Sequence, residues 1–381
     1  MSKVKTCELG DLIEFQRGYD LPKSEFRNGP YPVQSSNGIL GYHIDYKVEG
    51  PGITIGRSGT VGIPHYLNEN FYPHNTTLFV KDFKGNDRKY IYYLLKHLKL
   101  NDFKTGSGVP TMNRNHLHPL KVNAFIDKNY QVKLSSILSI LDQKIALNNQ
   151  INEELEAMAK TLYDYWFVQF DFPDENGKPY KSSGGKMVYN DQLKREIPEG
   201  WGVKCLGEVS ICHDSRRVPL SSKDRENKNG IIPYYGATGI MDYIDDFIFE
   251  GDYILMAEDG SVMTSEGKPI LQRITGKTWV NNHAHVLEPT NEYSCKLLLL
   301  SLKDISVLQI KTGSIQMKIT QENMNKILLP DIGRDLLSKI NEVLLPIDVK
   351  QLKLLKQNQE LTQLRDWLLP MLMNGQVRVE E

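Results

Sequence analysis

Cysteine is scarce in this chain and never clustered. Cys7, Cys205, Cys212 and Cys295 are scattered without a C-x-x-C spacing, which argues against a disulfide framework and against the usual zinc ligand sets. Long hydrophobic runs are missing too. The longest fully apolar stretch covers only residues 297–300, far too short to cross a bilayer, and the first residues lack the apolar segment of a secretory signal. A cytoplasmic protein with no membrane partner is expected. An excess of charge of either sign is also lacking: 46 Lys and Arg stand against 47 Asp and Glu, for a formal net charge of −1. The chain therefore exerts no global pull on nucleic acid. A nucleic-acid binder of this composition gathers positive charge locally or relies on a partner for it.

Catalytic and cofactor motifs fail on inspection. Gly276-Lys277-Thr278 resembles the end of a phosphate-binding loop, but Leu271 occupies the place of its first glycine. Ser183-Gly184-Gly185-Lys186 and Lys311-Thr312-Gly313 imitate penicillin-binding enzymes without the intermediate Ser-x-Asn. Pro173-Asp174 hints at a nuclease, yet no acidic-x-Lys follows at a useful distance. His283 and His285 would share one face of a strand, but no third His or nearby Cys joins them, and a structural role is the simpler reading. No catalytic site, no metal and no cofactor are expected in this chain.

What is present is repetition. Residues 32–42 (PVQSSNGILGY) align with residues 233–243 (PYYGATGIMDY), at an offset that also pairs Glu49-Gly50 with Glu250-Gly251 and Gly59 with Gly260. Lys104-Thr105-Gly106-Ser107 returns as Lys311-Thr312-Gly313-Ser314. Each copy is followed by a long run without Gly that reads as helix. In residues 131–166, Leu134, Leu141, Asn148, Leu155 and Leu162 recur at heptad spacing, with Ile137, Ile151, Met158 and Tyr165 in the complementary register. At a rise of ~1.5 Å per residue this helix is roughly 50 Å long and needs a partner along its length. The second copy supplies one, with Ile340, Ile347, Leu354, Leu361 and Leu368 on its seam. Pro346 is expected to kink or break that second helix. Asn148, a polar residue at a seam position, either locks the register of the pair or is a solvated side chain near a loose seam.

The chain of 381 residues therefore reads as an α+β protein of two duplicated mixed α/β domains. Residues 1–126 form the first domain and 127–170 the first long helix. Residues 171–200, rich in Pro, Gly, Ser and Lys, form a connector. Residues 201–331 form the second domain and 332–375 the second helix. Short strands cut by Gly, Pro and Asn turns predict a twisted sheet in each domain, without the alternating units of a dinucleotide-binding fold. Two related domains joined by paired helices suit a two-part target such as duplex DNA, whose faces recur about every 34 Å. Duplication within one chain lets the halves diverge and read an asymmetric sequence.

Several features together carry a resemblance to the specificity subunits of type I restriction-modification systems. They are Leu9-Gly10-Asp11, Ile197-Pro198-Glu199-Gly200-Trp201 followed by Leu206-Gly207-Glu208, and Leu141-Asp142-Gln143-Lys144-Ile145 with Leu155-Glu156-x-Met158. The Gly-Ser loops before Met112-Asn113 and Ile319-Thr320 complete the set. The resemblance covers essentially the whole chain. It implies two target-recognition domains, pseudo-twofold related, separated by a long antiparallel two-helix coiled coil. It further implies double-stranded DNA, two methyltransferase subunits and restriction/translocase subunits as partners. S-adenosylmethionine, ATP and Mg would belong to those partners, with none in this chain. The rival readings are a stand-alone DNA-binding or architectural protein and a duplicated protein-binding scaffold.

The duplication also ranks candidate DNA contacts. Residues shared by both halves serve fold or phosphate contact, whereas divergent neighbours read different bases. Lys104, Thr105 and Ser107, with Lys311, Thr312 and Ser314, suit a phosphate oxygen; a tight turn with a surface lysine is the competing account. Thr111, Asn113 and Arg114 diverge from Lys318, Thr320 and Gln321, as Val109 does from Gln316. Arg57 and Ser58 diverge from Glu258 and Asp259, each pair just before a matching glycine. Arginine suits guanine O6 and N7, and glutamate suits the cytosine amino group.

Overall fold

The structure is a computed structural model that describes residues 3–102, 111–290, 292–313 and 317–379. The chain divides into two compact units, Met1–Gln150 with Leu354–Glu381, and Ile151–Lys353. Both boundaries fall inside the long helices, Lys128–Tyr163 and Arg334–Met373. Among the described residues no helix is long and apolar enough to cross a membrane.

In the first unit, strand Val4–Glu8 pairs antiparallel with Lys121–Phe125. A four-stranded sheet runs in the order Glu14–Arg17, Thr77–Asp82, Gly52–Gly56, Pro64–Leu67, and a three-stranded sheet in the order Gly38–His43, Tyr31–Ser35, Tyr72–Pro73. The strand Gly52–Gly56 is buried throughout, so it reads as a continuous run rather than an alternation. Helix Arg88–His97 is capped by Asp87, whose side chain accepts from the Tyr90 amide, and it buries Tyr90, Ile91, Leu94 and Leu95 against the sheet. Tyr90 is fully buried, and its hydroxyl accepts the Phe125 amide at 2.9 Å.

The second unit repeats this plan. Strand Gly202–Cys205 pairs with Leu328–Asp331. One six-stranded sheet follows the order Ser210–Cys212, Ala284–Pro289, Phe249–Ala257, Leu271–Val280, Asn229–Tyr235, Ile240–Ile244. The single strand Leu271–Val280 stands where the first unit has two shorter ones, Pro64–Leu67 and Tyr72–Pro73, which is why one sheet replaces two. A parallel strand pairing occurs at the same place in both units, Val33 opposite Tyr72 and Tyr234 opposite Trp279. Residues 171–200, expected to be a connector, contain a hairpin of Met187–Asn190 with Arg195–Pro198.

Each unit contains parts of both long helices. In the first, Leu134, Leu138, Leu369, Leu372 and Met373 join the core. Tyr93 donates to Asp142 at 2.7 Å, and Arg365 pairs with the same carboxylate at 2.8 Å. Asn148 is buried and donates to Gln357 and Asn358 at 2.9 and 2.8 Å. In the second unit, Ala159, Trp166, Leu336, Leu337, Ile340 and Leu344 join the core. Glu156 there receives both Lys296, only 3% exposed, and Lys303. Gln351 donates to the Asn152 carbonyl at 3.1 Å. Arg273 binds Asp252 and Asp348.

Two helix expectations need correction. Pro346 does not break the second helix, which is continuous from Arg334 to Met373. The proline is exposed, so the carbonyl it deprives of a donor can be hydrated. Met158 and Tyr165 do not line the seam; Met158 is 59% exposed, and Ala159 is buried instead. The buried residues Leu138, Ala159 and Trp166 stand at i+4 from Leu134, Leu155 and Leu162, so the inward face follows the i+4 rather than the i+3 neighbour from the first turns onward.

Burial alone would raise the Glu156 carboxyl, but hydrogen bonds from Lys296 and Lys303 hold it down, from the ordinary 4.5 to about 2. A depressed carboxylate stabilises the fold above its unfolded pKa, and the stabilisation fades as pH falls from about 4.5 toward 2. Glu156→Ala, which strands the buried Lys296, is expected to cost about 2–4 kcal/mol at pH 7, reduced by the partial exposure of Glu156. The double change with Lys296→Met should recover much of that loss in urea denaturation.

Candidate nucleic-acid interface

Two loops predicted separately from the sequence are brought together in each unit. In the first, strand Gly52–Gly56 runs into Arg57-Ser58-Gly59, where Gly59 adopts φ 83°, a conformation favouring glycine. The Arg57 and Ser58 amides both donate to the Thr76 carbonyl, at 2.8 and 3.2 Å. The Met112 amide donates to the Arg57 carbonyl at 2.9 Å, and Ser58 bridges Thr111. In the second unit, strand Phe249–Ala257 runs into Glu258-Asp259-Gly260, with Gly260 at φ 73°. The Ile319 amide donates to the Glu258 carbonyl at 2.8 Å, and Asp259 bridges Lys318. The backbone frame is the same and the side chains differ.

Asn113 and Thr320 also share a task. Asn113 accepts from the Asn115 amide at 3.0 Å as N-cap of helix Arg114–Leu117, and Thr320 accepts from the Asn323 amide at 3.2 Å as N-cap of helix Gln321–Asn325. Asn113 therefore has its side-chain oxygen engaged in a cap. Arg114 is exposed, and neither it nor Arg57 forms an ion pair among the described residues. Lys311 and Thr312 lie in a short hairpin opposite Ile319 and Lys318, with Thr312 donating to the Lys318 carbonyl at 3.2 Å. Lys104, Thr105, Ser107, Ser314 and Gln316 lie outside the described residues.

Glu258 is placed differently from Arg57. Its carboxylate is only 12% exposed, and each oxygen already holds an internal cation: Arg217 at 2.6 Å and Lys318 at 3.0 Å. Arg217 also pairs with Asp214 at 3.2 Å and donates to the Ala284 carbonyl at 2.7 Å. Buried His285 faces Asp214 with Nδ1 and the Ile319 carbonyl with Nε2, at 2.8 Å for the latter. Burial would raise the Asp214 and Glu258 carboxyls. The hydrogen bonds and charges of their cationic neighbours outweigh it and hold both below the usual range. Asp259 binds His283 at 2.6 Å. Cys212, Asp214 and His285 place possible ligand atoms within 4.8 Å of one another, but both His285 nitrogens already face protein oxygens.

This network was not anticipated from the sequence. A signal was present nonetheless. Strand register aligns Phe15, opposite Val80, with Cys212, opposite Leu287, which sets Arg17 and Asp20 against Asp214 and Arg217. The charges of that pair are inverted between the halves, as they are between Arg57 and Glu258.

A profile of the type I restriction modification DNA specificity domain matches residues 1–157 and 198–331. The MjaIX specificity subunit of Methanocaldococcus jannaschii is 29% identical over 316 residues, spanning 77% of this chain and 70% of that protein. The HindI specificity subunit of Haemophilus influenzae is 24% identical over 317 residues, spanning 66% of this chain and 68% of that one. The crystal structure of a type I S subunit from M. genitalium superposes with a TM-score of 0.60 at 18% identity, covering 98% of this chain and 96% of that one. The chain belongs to the type I restriction-modification DNA specificity family: it is a DNA-sequence-recognition subunit, not a catalytic one.

Arg217→Ala would leave Asp214 and Glu258 short of their shared cation, at an expected cost of about 3 kcal/mol at pH 7. Because both carboxyls are depressed in the folded state, the cost shrinks as pH falls through and below the carboxylate range, where they become neutral. Urea melts of both proteins in a series from pH 7 down to about pH 2 measure the difference.

Proposed function

We propose that this chain reads a bipartite, asymmetric DNA site with one recognition domain per half-site. The observation carrying this reading is the pair of loops built on one backbone frame in both units but furnished with different side chains, Arg57 and Thr111 in one, Glu258 and Lys318 in the other. A frame held constant while its exposed groups diverge suits two readers of different base sequences. In this reading Lys311 and Thr312, with the matching Lys104, Thr105 and Ser107 and with Ser314, serve phosphate, and Arg57, Ser58, Arg114, Asp259, Gln316 and Lys318 serve the bases.

The long helices form an antiparallel coiled coil between two pseudo-twofold related domains. In support, side-chain pairs run in opposite order along them within the first unit: Asp142 meets Arg365, and Asn148 meets Gln357 and Asn358. The helices leave Ile140, Leu147, Val349, Leu355 and Trp367 exposed. Such apolar surface suits the docking of two methyltransferase subunits, with restriction/translocase subunits joining them. S-adenosylmethionine, ATP and Mg are carried by those partners, and the complex works in the cytoplasm.

Mapping methylated motifs in cells with and without the gene is expected to reveal a two-part motif that depends on this chain. Exchanging residues 1–126 for the first domain of a related protein should change one half of the motif only. Arg57→Ala should relax one base pair of the first half-site, at a cost of about 1–3 kcal/mol. An unaltered motif would remove Arg57 from the reading surface.

A further inference from the structure

We infer that the two domains present their reading cation from opposite loops. Lys318 takes, in the second half-site, the part that Arg57 takes in the first, and Glu258 is a positioning residue that holds Lys318 rather than a reader of cytosine. This inference rests on the bipartite reading above and deepens it.

The backbone frames superimpose the positions. Arg57 and Glu258 follow equivalent strands and each accepts an amide from the second loop; Thr111 and Lys318 are the residues bridged across from Ser58 and Asp259. Each loop pair thus carries one basic residue at these four positions, but on opposite sides. In the first unit the guanidinium of Arg57 forms no ion pair among the described residues. Leu78 stands where the second unit has His285, and the Arg17–Asp20 pair is exposed and long, at 3.5 Å.

In the second unit the anion at the matching place is turned inward. Arg217 grips one oxygen of Glu258 from within, and Arg217 is itself fixed by Asp214 and the Ala284 carbonyl. The other Glu258 oxygen meets the Lys318 ammonium, whose side chain remains 48% exposed. His285 secures the Ile319 carbonyl, next in the chain to Lys318. An ammonium has three donors. With one committed to Glu258, the others remain for guanine O6 and N7 or an adjacent phosphate. Glutamate in this setting supplies orientation, because a free carboxylate beside a DNA backbone would repel it.

The test uses the full chain expressed with its methyltransferase partner, with methylated motifs read by single-molecule sequencing. Lys318→Ala is expected to lower discrimination at one base pair of the second half-site by roughly tenfold or more, leaving the first half-site intact. Lys318→Arg, which keeps a cation there, should preserve most of it. Glu258→Gln should weaken the same base pair and add nothing when combined with Lys318→Ala, since a positioning residue acts only through the group it holds. Retained reading of the first half-site and a single cooperative melting transition certify that each variant is folded. A Glu258→Gln effect at a different base pair, or one that adds to Lys318→Ala, would make Glu258 a direct reader and overturn the assignment. So would an unaltered motif in Lys318→Ala. If exchange of residues 1–126 also leaves the motif unchanged, the bipartite reading itself falls; if that exchange alters one half, only the assignment to Lys318 falls.

Discussion

Neither recognition domain closes its core with its own strands alone. The first unit completes its core with Leu134 and Leu138 from the start of one long helix and Leu369, Leu372 and Met373 from the end of the other. The second uses Ala159 and Trp166 with Leu336, Leu337, Ile340 and Leu344. Burying such side chains is worth roughly 1.5–3 kcal/mol each for the larger ones, enough to make the helix ends parts of the domains. Polar locks add direction to this burial: Asp142 with Tyr93 and Arg365 in one unit, Glu156 with Lys296 and Lys303 in the other.

From this packing follows a division of labour along the chain. Strands and helix ends supply rigidity, and the candidate loops emerge from central strands that are buried throughout in Gly52–Gly56 and over residues 253–257 in Phe249–Ala257. Loops held by backbone hydrogen bonds can change their side chains without changing their path. The first loop pair offers arginine and threonine, and the second glutamate and lysine. Near-neutral net charge fits this arrangement, because the proposed DNA contact needs positive charge only locally, at the loops.

The second unit carries the more elaborate electrostatics. Asp214, Arg217, Glu258, His285 and Lys318 form a connected, largely buried set, where the first unit has Arg17, Asp20, Arg57, Leu78 and Thr111. Charged groups in low dielectric are costly unless paired, and Glu258 is accordingly met by cations on both oxygens. The Arg17–Asp20 and Asp214–Arg217 pairs carry opposite order of charge, as Arg57 and Glu258 carry opposite sign.

Much of this organisation was legible from the residues in order. Repetition, heptad spacing and turn chemistry are properties of neighbours along the chain, and they marked out both long helices and the loops that folding brings together in each unit. The side-chain partners were not legible. Which cations surround Glu258 and whether Pro346 interrupts its helix depend on groups brought together by folding or on which face meets water. Met158 and Ala159 make the same point at the smallest scale, since packing alone decides whether the i+3 or the i+4 neighbour of Leu155 is buried. Local periodicity sets the elements; which charge neutralises which is settled only when strands distant in sequence lie side by side.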